Sequence, residues 1–132
     1  MKLDSLLFRI TGVVVFIQIL LGGLLTFNFI DPAFHVVTGV IVFVVALASM
    51  IVVLMSKPAF PPLKGLSIGL VALIVVQLIL GVETLRTGSN AFAWVHFAVA
   101  MGIYGMTVAG TFMAAQWNRM ANIQTEKPSQ PV

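Results

Sequence analysis

Charged residues are absent from four stretches of the chain: Ile10 to Ile30, Ala33 to Ser56, Gly65 to Val82 and Ala91 to Gln116. Each is apolar over most of its length, and a helix needs about 20 such residues to cross the hydrocarbon core of a bilayer. The third is short and reaches full length by running past Glu83. Backbone groups in lipid must be paired within their own segment, so the pattern predicts helices. A transmembrane barrel would need alternating strands of about 10 residues, and no such alternation occurs. The polar breaks are short: Asn28-Phe29-Ile30-Asp31-Pro32, then Ser56 to Lys64 with its prolines, then Arg86-Thr87-Gly88-Ser89-Asn90. Short links make successive helices antiparallel. The expectation is an all-α membrane protein, an up-down-up-down four-helix bundle occupying residues 1–117. Residues 118–132 read as a polar, disordered cytoplasmic tail.

Composition narrows the class. Hydrophobic residues are 60% and charged residues 8%, against about 25% charged in soluble domains. Such a chain cannot cover a soluble globule, and it is too apolar to be disordered. The absence of cysteine excludes disulfides, thiolate metal sites and covalently attached c-type haem. The net charge of +3 is a matter of topology, and no nucleic-acid partner is expected. Six of the seven basic residues, Lys2, Arg9, Lys57, Lys64, Arg119 and Lys127, fall on one side, and Arg86 on the other. The positive-inside rule then puts both termini in the cytoplasm. The expected place is a prokaryotic cytoplasmic membrane, with Trp94 and Trp117 at opposite interfaces. The first apolar run exceeds a signal-peptide core of about 7–15 residues, and it is read as retained.

The two halves repeat. Gln18-Ile19-Leu20-Leu21-Gly22 in the first helix matches Gln77-Leu78-Ile79-Leu80-Gly81 in the third, and each is followed by a helix with one histidine. Gln18 to His35 is 17 positions and Gln77 to His96 is 19. A hairpin duplicated about an axis along the membrane normal places equivalent residues at equal depth. With Asp31 and Asn90 as N-caps, His35 and His96 lie about 6 and 9 Å down their helices. Those helices are diagonal partners, with axes roughly 13 Å apart. Two imidazoles with a metal macrocycle between them suit that gap.

The bland alternative is two polar residues satisfied at helix ends. Duplication of the only histidines favours axial ligation of one haem b, whose macrocycle supplies the other four ligands. Zinc would need three or four protein ligands. Gly39 and Ala100, four residues after each histidine, give clearance for a porphyrin or serve helix packing. Gln18 and Gln77 touch a haem edge or join helices. Gly22 and Gly81 are close-packing positions. Thr38 bonds back to its own helix. Arg86 is the best propionate partner, or it snorkels, or it pairs with Glu83.

The stretch from Gln77-Leu78-Ile79-Leu80-Gly81 through Gly88-Ser89-Asn90-Ala91 to His96-Phe97 resembles the haem A synthase family, most closely its second hairpin. The first hairpin, with Gln18, Gly22 and His35, resembles it less. The likeness covers roughly residues 10–115, which is one four-helix half. It implies histidine ligands at His35 and His96. It also implies haem O or haem A as substrate or product, and a homodimer to rebuild the eight-helix arrangement. The partners implied are a haem O synthase, a terminal oxidase and the quinone pool. The family's outer cysteine pair has no counterpart here. Its catalytic glutamate falls at Pro32, leaving Asp31 as the only nearby acid. The resemblance therefore implies haem binding more strongly than oxidation. The alternative is an electron-transfer cytochrome b without haem-oxidising activity.

Overall fold

Asp31 opens the second helix as expected. Its carboxylate accepts from the Ala33 N–H at 2.7 Å, and Pro32 follows in the first helical position. Asn28 turns the chain just before it with φ 59°, a left-handed conformation that asparagine tolerates. Gly88 closes the third helix with φ 63°, its N–H reaching the Thr84 carbonyl. That conformation favours glycine. In the computed structural model, residues 3–57 and 60–126 are described. They form α1 (Leu3–Thr26), α2 (Pro32–Met55), α3 (Pro61–Thr87) and α4 (Asn90–Glu126), with no strand among the described residues. All four are long and apolar enough to cross a membrane. The chain is an integral membrane protein of the all-α class.

The helix ends do not coincide with the charge-free stretches: α3 and α4 outrun theirs at both ends, while α1 starts earlier and stops at Thr26. The absence of charge marks the hydrocarbon span, whereas helix ends are set by caps and breakers. α3 continues through Glu83 and Arg86, so the third link shrinks to Gly88 and Ser89. Asn90 is the first helical residue of α4 rather than its cap. The expected disordered tail begins as helix, since α4 continues to Glu126. Residues 118–126 contain good helix formers and no Gly or Pro. Asn118 Nδ2 also donates to Asp4 Oδ1 at 3.1 Å, tying this extension to α1. Lys2, Pro58, Ala59 and the remaining tail from Lys127 lie outside the described residues.

Packing follows the expected ring. α1 packs on α2 and α4, and α3 packs on α2 and α4, while the backbones of the diagonal pairs stay apart. The core has one repeating spacing. α1 buries Asp4, Phe8, Thr11 and Val15; α2 buries Val42, Ala46, Ser49 and Val53; α3 buries Leu63, Ser67, Leu70 and Ile74; α4 buries Ile103, Thr107, Gly110 and Ala114. Steps of four, three and four recur in every helix, which is the seam of a coiled coil. Thr11 and Ser49 bond across it at 3.0 Å. Gly110 is required by contact, because a Cβ there would overlap the ring of fully buried Phe8.

This core occupies only the end of the bundle that holds the termini. None of residues 16–38 or 75–102 is buried. At the core end, Phe60 stacks on Trp117 with ring centres 4.6 Å apart. Lys64 Nζ donates to the Leu54 carbonyl at 3.1 Å, a favourable place for a cation at a helix C-terminus. The opposite end carries both histidines.

Candidate functional site

His35 stands in the first turn of α2 and His96 in the second turn of α4. Their rings meet across the diagonal, with centroids 6.1 Å apart and planes at 67°. A metal–imidazole bond is about 2.0 Å long, so two rings this close could both reach one metal ion. The Nδ1 atoms of both histidines are buried and have no hydrogen-bond partner. A buried polar atom left unpaired costs about 1–3 kcal/mol. Two such atoms on neighbouring rings could be satisfied by a bound ligand. Among the described residues, no group of three or more His, Cys, Asp or Glu is placed to hold a metal. A metal held by this pair alone would need its remaining ligands from another source.

The sequence repeat is also a structural one. A Cβ on Gly22 would lie 3.2 Å from His35 Cε1, and a Cβ on Gly81 would lie 3.1 Å from His96 Cε1. Each imidazole therefore lies over a bare glycine of the preceding helix. Gln18 Nε2 donates to the His35 carbonyl at 2.8 Å, and Gln77 Nε2 donates to the His96 carbonyl at 2.9 Å. Gln18 Nε2 also lies 3.3 Å from His35 Nε2. Both glutamines thus join helices by gripping the main chain that carries a histidine.

The two halves differ at one contact that the sequence reading missed. Thr38 bonds back to its own helix at the Phe34 carbonyl, 2.8 Å away, and its hydroxyl also reaches Gln18 Oε1. The matching position three residues after His96 is Val99, and Gln77 Oε1 is buried without a partner. The missing signal was chemical: Thr38 lies at the depth of Gln18, and Val99 cannot answer Gln77. Val99→Thr is expected to stabilise the bundle by about 0.6–1.5 kcal/mol, read as a higher unfolding midpoint in detergent. In a Gln77→Leu background the gain should vanish. An equal gain there would show that the effect is not this hydrogen bond.

Other expected residues are placed as follows. Gly39 is buried and makes room for Gln18, whose Nε2 would lie 3.1 Å from a Cβ there. Ala100 is half-buried one turn from His96. Arg86 donates to Glu83 Oε2 through Nε at 3.1 Å and Nη2 at 2.8 Å, an exposed pair at the end of α3. The Asp31 carboxylate caps α2. Compared with known protein families, curated proteins and solved structures, the chain matches none.

Proposed function

We propose that this chain is a membrane cytochrome of the b type, holding one haem between His35 and His96. The observation that carries the reading is the facing pair of imidazoles, set 6.1 Å apart in the one end of the bundle without a closed core. The bound group supplies one-electron chemistry at its iron. The chain supplies the rest. His35 and His96 would hold the iron, Gly22 and Gly81 seat the rings, and Gln18 and Gln77 fix the helical turns that carry them. Of the two readings, electron transfer is favoured over oxidation of haem O as a half-length, dimeric haem A synthase. Asp31, the acid nearest the family's glutamate position, already accepts from the Ala33 N–H. Arg86 is engaged by Glu83, so the propionate role rests on its position alone.

The test is the purified protein's spectrum together with its extracted haem. A Soret band, a sharp reduced α-band and haem B alone in the extract are expected. Absence of any Soret band sinks the reading. Abundant haem A on co-expression with a haem O synthase would restore the enzyme reading.

The proposed orientation sets both termini in the cytoplasm and the histidines toward the outer face. The native chain has no cysteine, so single-cysteine labelling is clean. Ser89→Cys, in the short turn after α3, should react with an impermeant thiol reagent applied from outside. Protection there, with labelling only after the membrane is opened, would invert the topology.

A further inference from the structure

Arg9 is the last charged residue before the apolar run of α1. It is exposed and has no ion pair among the described residues. It lines one end of an open groove of about 410 Å³ along the contact of α1 and α4. The floor is thin because a Cβ on Gly12 would come within 3.0 Å of Thr107 Oγ1. Val13 and Val108 form the walls. Phe16 and Tyr104 close the far end, with ring centres 5.8 Å apart. From Arg9 to Phe16 the groove runs about 10 Å along the helix, from the polar boundary into hydrocarbon. Arg119, also exposed and without an ion pair among the described residues, stands on α4 beyond that end. Its neighbour Asn118 bonds Asp4, which sets it at the level of the polar end.

We infer that this groove seats one acyl chain of an anionic phospholipid whose phosphate is held by Arg9. The directions agree: a lipid has its phosphate at the polar boundary and its chain along the membrane normal, as the groove has. The charges agree too, since a guanidinium fork matches phosphate oxygens in pairs and a second cation lies beyond it. Hydrocarbon alone gives no selectivity, because bulk lipid is equally apolar; selection therefore rests on Arg9. The groove joins the first and last helices, so the lipid fastens the place where the ring of helices closes. None of these residues belongs to the histidine site.

The experiment is native mass spectrometry of the purified full chain with added phosphatidylglycerol or phosphatidylcholine of identical chains. One phosphatidylglycerol should be retained per chain, with at least a tenfold preference. Arg9→Gln, at an exposed position, should reduce retention to the phosphatidylcholine level. Val13→Trp, at a wall residue 60% exposed, should expel both lipids without changing the helical circular dichroism. Equal retention of the two lipids, or full retention by Arg9→Gln, overturns the proposal. So does a native quinone retained in place of phospholipid, with Tyr104 as its hydrogen-bond donor.

Discussion

Replacing His35 or His96 by alanine is expected to abolish a six-coordinate, low-spin haem spectrum. In the proposed site each ring supplies one of two protein ligands, so either loss would leave the iron with one protein nitrogen. The fold should survive. Both histidines are only half-buried, at the end of the bundle away from the core, and alanine is the best helix former. The single variants should become high-spin or lose haem. The double variant should purify as a helical, colourless protein. Added imidazole should restore part of the low-spin band in each single variant, since the space of one ring is then free. An unchanged spectrum in both single variants would remove His35 and His96 as ligands whatever group is bound.

The second large effect is expected at the two glycines. Gly22→Leu and Gly81→Leu each place a branched side chain where a Cβ already lies 3.2 or 3.1 Å from an imidazole carbon. The ring has to move, and its nitrogens move with it. Overpacking of this kind costs about 1–3 kcal/mol, and each 1.4 kcal/mol is a factor of about ten in occupancy. Haem per polypeptide, measured after purification under matched conditions, should fall between severalfold and a hundredfold. Gly105→Leu is the control, because a Cβ there meets no atom within 4 Å. Equal losses at Gly105 and Gly81 would mean that glycine serves helix packing in general and not the histidine.

The bundle and the histidine pair were legible because both are periodic. Charge-free runs of span length give the helices. The recurrence of Gln-x-x-x-Gly before each histidine-bearing helix gives the equivalence of His35 and His96. Two glycines read as packing positions do pack, and the structure adds what they pack against. The ends of the helices were not legible from the same signal. Charge distribution marks the ends of the apolar runs, while α4 continues through polar residues beyond its own run. Gly39 illustrates another limit. Its place one turn from His35 suggested clearance for a cofactor, and the contact that needs the space belongs to Gln18. The unequal partners of Gln18 and Gln77 could be found only once the depth of Thr38 and Val99 was known.

The one-sided core has a consequence for the order in which the molecule is made. Side chains interlock in steps of four, three and four between the termini and Ile74, and beyond that level only Gly39 is buried among the described residues. Opening free energies within one protein run from near zero to the global value, and here they should fall along each helix toward the turns. The knitted half can gather all four helices before any prosthetic group arrives. The half with the histidines is then the last to set, and remains the portion whose amides exchange fastest in the colourless protein. Insertion of the group would draw those amides into the slow class, turning a graded assembly into a single cooperative unit.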